Sequence, residues 1–157
     1  MDVKPHGEEE GTPADRIVLV MTDLAGAMGR LNDLIAQRAG VGSTDLLCLH
    51  VLNREGPSTA GRLSARLGRT TGAITQMIDR LQKAGYVRRR PHPEDRRSVM
   101  VEAVPEALGR IAALYAGLDA RSRRLMSEFT PEQLATVHAF LVASHQIAVE
   151  ESDLLTG

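Results

Sequence analysis

Two short helix-forming segments stand close together near the middle of the chain and restrict the folds open to it. Apolar residues recur in both at helical spacing, at Ala60, Leu63, Leu67, Ile74, Met77 or Ile78, and Leu81. Ser58 opens the first segment and Gly68 ends it, whereas Thr70 or Thr71 caps the second, which Gly85 closes. Because only a tight turn separates the two, the pattern predicts a helix-turn-helix unit.

The residues after the second of these helices change from helical to strand periodicity. Val99, Val101 and Ala103 alternate with Ser98, Met100 and Glu102, a pattern typical of a strand with one buried face. Val87 and three arginines precede a turn that contains Pro91, Pro93, Glu94 and Asp95. We therefore predict a β-hairpin, or wing, with a basic tip.

Amphipathic helices are predicted on both sides of this central segment. The first runs from Asp15 to about residue 38 and is ended by Gly40 and Gly42. The second is capped by Ser43 or Thr44 and stops before residues 55–57.

The C-terminal part of the chain predicts two further helices. Pro105 occupies the first position of the fifth helix. Thr130, Pro131 and Gln133 form a capping box that starts the sixth, which frays near Glu151.

Composition supports a mainly α fold. The chain has 157 residues, 43% of them hydrophobic, but only two Tyr, two Phe and no Trp, so its core must be built from aliphatic residues that suit packed helices. We predict a winged helix-turn-helix with a small β-hairpin wing and long N- and C-terminal dimerisation helices. The expected divisions are a mobile tail at 1–13, an N-terminal dimerisation helix at 14–42, a DNA-binding domain at 43–104 and C-terminal dimerisation helices at 105–152.

Charge is segregated along the chain although the net charge is only −1. Residues 54–97 contain 11 basic and 4 acidic residues, so that the rest of the chain is acidic. A local basic patch of this kind suits contact with a polyanion such as DNA. Chance clustering, or a solvated basic face, is the alternative explanation.

The second helix of the helix-turn-helix unit has side chains suited to the major groove. Its apolar stripe leaves short or hydrogen-bonding residues outside, at Thr71, Ala73, Thr75, Gln76, Asp79, Arg80 and Lys83. Gln76 can bind adenine through two hydrogen bonds, and Thr75 can bind a base or a phosphate. A capped surface helix without a ligand is the alternative.

The predicted wing gathers five arginines, Arg88, Arg89, Arg90, Arg96 and Arg97, whose mutual repulsion DNA phosphates would relieve. A basic edge that blocks strand-to-strand aggregation is the alternative. We assign Asp95 a structural role in orienting one of these arginines. The candidate DNA-binding residues are Ser58, Arg69, Thr70, Thr71, Ala73, Thr75, Gln76, Arg80, Lys83, Arg88, Arg90, Arg96 and Arg97.

The run from Leu81 to Arg89, followed by Pro93-Glu94-Asp95-Arg96-Arg97, resembles the signature of MarR-family regulators. This resemblance implies a homodimer with interlocked terminal helices, in which residues 70–84 read the major groove. It implies that Arg97, or else Arg96, reaches the minor groove. It also implies a small, often aromatic, ligand that binds between the dimerisation helices and the winged domain and weakens DNA binding.

The sequence departs from the family pattern at three places. Gln76 stands where the family often has Arg, which leaves the target sequence open, and Ala103-Val104 replaces the usual Leu-Thr before the fifth helix. Peroxide-sensing members use a cysteine in the first helix, whereas Cys48 lies on an apolar stretch of the second and is expected to be buried packing.

The first, fifth and sixth helices are too long for a winged domain of about sixty residues to cover. Their remaining apolar stripes predict a twofold homodimer. Its two reading helices would lie about one DNA turn apart, ~34 Å, which predicts a palindromic operator.

Other functional classes find little support in the sequence. The five histidines are scattered, no Gly-rich phosphate loop or GxSxG motif occurs, and a single cysteine cannot supply a Cys-rich zinc site, so we expect no catalytic residues, metal or cofactor. A metal-sensing winged helix is weakened for the same reason. No signal peptide or membrane span is evident, which favours the cytoplasm. The alternative function is a winged helix that binds an acidic protein partner.

Overall fold

The computed structural model of the protein describes residues 11–95 and 97–156. These residues form six helices and a three-stranded antiparallel sheet, which confirms the predicted mainly α winged helix-turn-helix. In the described part of the chain no helix is long and apolar enough to cross a membrane. The elements are, in order, α1 (Pro13–Ala39), α2 (Ser43–Glu55), β1 (Ser58–Thr59), α3 (Ala60–Leu67), α4 (Thr71–Lys83), β2 (Val87–Pro91), β3 (Val99–Ala103), α5 (Pro105–Met126) and α6 (Pro131–Thr156).

The helix-turn-helix unit consists of α3 and α4. The hydroxyl of Thr70 accepts a hydrogen bond from the backbone N–H of Ala73 at 3.3 Å, which confirms that a threonine caps α4. Gly68 ends α3 in the left-handed conformation, with φ of 59°, as predicted. The tight turn between the helices is therefore set by residues at their ends.

The start of α3 differs from the prediction. Thr59, not Ser58, is its N-cap and accepts from the N–H of Arg62 at 3.3 Å. Ser58 lies instead in β1, is 8% exposed and pairs with Val101 of β3. The prediction that Ser58 opens this helix was wrong because a two-residue strand has no periodicity to reveal it.

The wing is a hairpin of β2 and β3 to which β1 adds a third strand, in the order β1-β3-β2. Val87 pairs with Ala103 and Pro91 with Val99, so the predicted hairpin is confirmed. Its alternation is only partly reproduced: Val101 is 2% exposed, whereas Val99 at the open end is 48% exposed. Burial thus depends on how far along the strand the helices cover the sheet.

The core lies among α2, α3, α4 and the sheet. The sequence pattern allowed either Met77 or Ile78 on the buried side of α4, and in the structure both are buried. Leu47 points outwards and is 49% exposed. The largest fully buried side chains are Leu46, Leu49, Leu63, Ile74, Ile78, Leu81, Val101 and Cys48.

Cys48 is completely buried, as expected of a packing residue. Burial raises the pKa of its thiol to about 11, and the nearby carboxylate of Asp45 contributes to the increase. The thiolate that redox chemistry requires is therefore scarce in the folded protein.

Two helix starts lie elsewhere than predicted. The first helix begins at Pro13, because Thr12 and Asp15 form a capping box ahead of it. The expected tail thus ends before residue 12, and its residues 1–10 lie outside the described residues. For α2 the N-cap is Gly42 rather than Ser43 or Thr44, and the carboxylate of Asp45 accepts from the Gly42 N–H at 3.2 Å.

Other helix ends agree better with the sequence. Gly40 ends α1 in the left-handed conformation, and α5 begins at Pro105. Thr130 and Gln133 form the predicted capping box, with hydrogen bonds of 2.8 and 3.2 Å. The last helix continues to residue 156, so the predicted fraying near Glu151 was wrong.

The described chain divides into two compact units, one ending at Ala112 and the other beginning at Ala113. In the first unit the N-terminal half of α1 exposes large apolar side chains, namely Ile17, Val18, Leu19, Val20 and Leu24. In the second unit no residue of α6 between 131 and 155 is buried, and the helix exposes Val137, Phe140, Leu141, Val142, Ile147, Leu154 and Leu155. Both units therefore have apolar surface that the described residues leave uncovered.

Candidate nucleic-acid interface

The outer side of α4 is open to solvent. Its buried stripe holds the helix against the core and leaves the predicted contact residues exposed, at Thr71, Ala73, Thr75, Gln76, Asp79, Arg80 and Lys83. The hydroxyl of Thr75 donates to the carbonyl of Thr71 at 2.9 Å and keeps its acceptor lone pairs available. In the described chain no partner of the Gln76 amide is found, so its donors and acceptor can face a ligand.

Arg80 differs from its neighbours on α4 because a buried carboxylate holds it. Its Nη2 donates to Asp45 Oδ1 at 2.7 Å and its Nε to Asp45 Oδ2 at 3.3 Å. The Asp45 side chain is 6% exposed, whereas that of Arg80 is 58% exposed. These hydrogen bonds raise the pKa of Arg80 further, and they fix a guanidinium whose other N–H groups remain free to bind an anion.

The wing arginines have counter-charges within the protein. Arg88 Nε donates to Glu102 Oε1 at 2.5 Å, and Arg90 Nε donates to Glu102 Oε2 at 2.7 Å. On the other face of β2, Arg89 donates to Asp79 at 2.6 Å and also to Gln82. The repulsion among these arginines is therefore already reduced by acidic side chains of the protein itself.

Arg89 also shows where the wing and α4 adjoin. Asp79 and Gln82 both belong to the C-terminal half of α4, and Arg89 belongs to β2. Its guanidinium therefore links the two elements that are expected to enter neighbouring grooves. Arg89 was not among the predicted contact residues, because no local signal in the sequence indicates its contacts with Asp79 and Gln82.

The tip of the wing is organised by two side chains. Asp95 accepts from the backbone N–H of Arg97 at 2.9 Å and from the hydroxyl of Ser98 at 2.7 Å. These hydrogen bonds, the one from Ser98 above all, lower the pKa of Asp95. Among the described residues, Asp95 therefore contacts the backbone of Arg97 and the hydroxyl of Ser98, contacts that suit the structural role predicted for it.

His92 is the second organiser of the tip. Its Nδ1 accepts from the backbone N–H groups of Glu94 and Asp95, at 3.2 and 3.1 Å. The Arg97 side chain is exposed, and no carboxylate of residues 11–95 or 97–156 forms an ion pair with it. Arg96 lies outside the described residues.

The remaining candidates lie on or near α3. Arg69 is exposed in the turn before α4, where its carbonyl accepts from the hydroxyl of Ser64 at 2.5 Å. Ser58 is set apart from the exposed candidates because it is buried in β1. Among the described residues no group of three or more His, Cys, Asp or Glu side chains could hold a metal ion.

The exposed side of α4 and the neighbouring wing together present hydrogen-bonding and cationic groups. This surface offers amide, hydroxyl and guanidinium groups on a capped helix, next to a hairpin in which acidic side chains hold Arg88, Arg89 and Arg90. Such groups bind base edges and phosphates. Four residues that were not predicted as part of the site form hydrogen bonds that position this surface, namely Asp45, Arg89, His92 and Glu102.

Known proteins resemble the chain in both sequence and structure. The sequence model of the MarR family matches residues 42–99. The uncharacterized HTH-type transcriptional regulator YcgE of Bacillus subtilis is 38% identical over 120 residues, which cover 76% of this chain and 78% of YcgE. An HTH-type transcriptional regulator of Mycobacterium tuberculosis is 32% identical over 120 residues, with 74% and 78% of the two chains covered.

Solved structures agree in fold. Apo MarR of E. coli aligns with a TM-score of 0.59 at 23% identity, covering 87% of this chain and 98% of MarR. The crystal structure of RV1404 from Mycobacterium tuberculosis aligns with a TM-score of 0.66 at 20% identity, covering 90% and 97%. The likeness therefore extends beyond the central winged segment.

Proposed function

Because this chain belongs to the MarR family of transcriptional regulators, we propose that it represses transcription as a homodimer bound to a palindromic site in double-stranded DNA. The observation that carries the proposal is the outer side of α4, which is exposed to solvent and bears hydrogen-bonding groups on a helix fixed by a cap and a buried stripe. A major groove ~12 Å wide accepts such a helix.

In this proposal α4 lies in the major groove. Gln76 binds a base edge, adenine by preference, and Thr75 binds a base or phosphate. Thr71 and Ala73 keep the N-terminal half of the helix slim enough for close approach. Around them the phosphate contacts come from Arg69, Thr70, Arg80 and Lys83.

The wing binds the adjacent DNA. Arg97 enters the minor groove, where the potential is most negative, and its exposed side chain without an ion pair in the described residues supports this role. Arg88 and Arg90 bind phosphates through the N–H groups that Glu102 leaves unused. Arg96 is proposed on the family resemblance alone, as a second basic group at the tip.

Dimerisation is proposed to bury the apolar surface of the terminal helices. Exposed residues such as Leu24 of α1 and Phe140 of α6 support it, since large contiguous apolar patches are rare on monomers. A twofold dimer presents two α4 helices to half-sites about one DNA turn apart. Light scattering that shows a monomer at micromolar concentration would refute this part.

The test is binding of the purified protein to the intergenic DNA beside its own gene. Selective binding against excess unrelated duplex, with affinity that falls steeply as salt rises, is expected. Arg97→Ala should weaken binding to all sequences, whereas Gln76→Ala should change the preferred base pair. Arg123→Ala is the matched control, because it removes an exposed arginine from the second unit, where Arg123 pairs with Asp119.

Equal binding by wild type, Arg97→Ala and Gln76→Ala would refute the assigned roles. Salt-sensitive binding to an acidic protein with none to duplex DNA would instead favour the protein-contact alternative.

Two further elements rest on the family resemblance. A small aromatic ligand is proposed to lower the affinity for DNA, which a titration of phenolic acids into the protein–DNA complex tests. DNA as the partner also supports a cytoplasmic location and a regulatory rather than catalytic role.

A further inference from the structure

Glu102 is shared by two of the arginines that the wing offers to DNA. Arg88 and Arg90 lie on the same face of β2 because side chains alternate along a strand, and Glu102 lies directly opposite Arg88 on β3. One carboxylate oxygen accepts from Arg88 at 2.5 Å and the other from Arg90 at 2.7 Å. A single carboxylate thus holds both guanidinium groups.

The exposure of the three side chains shows which of them meets the solvent. Glu102 is 16% exposed, whereas Arg88 is 65% and Arg90 is 42% exposed. Each guanidinium has five N–H donors and uses one of them on Glu102 in this contact. The cluster therefore presents two guanidinium groups in fixed positions. The carboxylate of Glu102 lowers the net charge of the three side chains to +1, from the +2 of the two arginines alone.

We propose that Glu102 is a specificity-determining residue that limits the sequence-independent affinity of the wing for DNA. The inference rests on the proposed DNA-binding function. Binding to any duplex depends on how many phosphates the protein neutralises, so a carboxylate beside two arginines lowers that number. At the correct site the same carboxylate holds the guanidinium groups in one geometry, and less rotamer entropy is lost on binding.

The experiment compares Glu102→Gln with Glu94→Gln on a random-sequence duplex of about 30 base pairs, roughly three DNA turns. Both variants remove one negative charge from the wing. Glu94 is exposed, and within the described chain it forms no ion pair with an arginine, so it controls for the change in total charge. Affinity is measured between 50 and 200 mM salt by fluorescence anisotropy, and urea unfolding verifies that both variants fold.

Glu102→Gln should bind the random duplex more tightly than wild type and steepen its log–log salt slope by about 0.9 per wing. Each wing then loses roughly 3.5-fold more affinity than in wild type over this fourfold rise in salt. Affinity for the intergenic site should rise less, so the ratio of specific to random binding falls. Glu94→Gln should leave the slope close to that of wild type.

Two further variants separate charge from structure. Glu102→Asp keeps the negative charge and should retain the wild-type slope, whereas Arg88→Gln in the Glu102→Gln background should return the slope to the wild-type value. A Glu102→Gln protein whose slope and affinity match those of Glu94→Gln overturns the proposal. Absence of salt-dependent binding by the wild type would instead refute the proposed function itself, so the two failures are distinguishable.

Discussion

Removal of the Arg80 side chain should destabilise the protein, because it leaves the buried carboxylate of Asp45 without its ion-pair partner on α4. Arg80→Met keeps most of the aliphatic length of the side chain but leaves Asp45, whose side chain is 6% exposed, with the Gly42 N–H as a remaining partner at 3.2 Å. A carboxylate in that position is desolvated without the cation that compensates it. Arg80→Met should therefore destabilise the protein.

The magnitude lies between two limits. Loss of one partner from a fully buried ion pair costs about 3–5 kcal/mol, and surface pairs contribute about 0–1 kcal/mol. Because the Arg80 side chain is 58% exposed, water can replace part of its contact. We expect a loss of about 2 kcal/mol, which for a chain of this length lowers Tm by about 4–8 °C.

Urea unfolding followed by circular dichroism measures this loss, at one protein concentration because an oligomer's stability depends on it. The control is Arg54→Met, which removes an exposed arginine 3.3 Å from Glu55 and should cost much less stability than Arg80→Met. The double variant Asp45→Asn/Arg80→Met leaves no buried charge and should be more stable than the two single losses predict. Arg80→Met with the stability of Arg54→Met would refute this reasoning.

Further predictions concern the core, the helix caps and the wing. The Cys48 thiol, with a pKa of about 11, should react with a disulfide reagent at pH 8 far more slowly in the folded protein than in urea, and equal rates would contradict its burial. Tyr86→Phe should cost about 1 kcal/mol in urea unfolding, since its hydroxyl donates to the Ala39 carbonyl at 2.7 Å, and unchanged stability would count against that bond. Thr70→Ala should cost about 1 kcal/mol by removing the α4 cap, provided that a Thr71→Ala control costs less. Arg88, and then Arg90, lower the pKa of Glu102 from its ordinary 4.5, so its ion pairs stabilise the fold above that pH and are lost as pH falls through the lower folded value. The stability difference between wild type and Glu102→Gln should therefore shrink in acid, and a difference independent of pH would contradict the ion pairs.

Local signals explain why most elements could be predicted from the sequence. The left-handed glycines that end α1 and α3, and the capping box before α6, act within three or four residues of the groups they satisfy. The spacing of Ile74 and Leu81 likewise identified the buried side of α4. The start of α3 was predicted one residue too early, at Ser58 instead of Thr59, because local rules did not show that Ser58 pairs with β3.

The parts of the site that could not be predicted depend on residues far apart in the chain. Asp45 meets Arg80 across 35 positions, and Glu102 meets Arg88 across 14. In the sequence, the five wing arginines suggest a repulsion that no nearby residue relieves. In the structure, three of them form ion pairs with acidic side chains on other elements. Charge counts along a segment therefore overestimated the positive charge that the wing presents.

The sequence by itself determined the helices, several of their caps, the hairpin and the basic segment, because each depends on contacts between residues near in the chain. Tertiary structure alone decided that Ser58 joins the sheet, that a buried carboxylate holds Arg80, and that Glu102 takes a share of the wing's charge. These contacts depend on which side chains the packing of the core brings within hydrogen-bonding distance. Periodicity along one element contains no information about that distance.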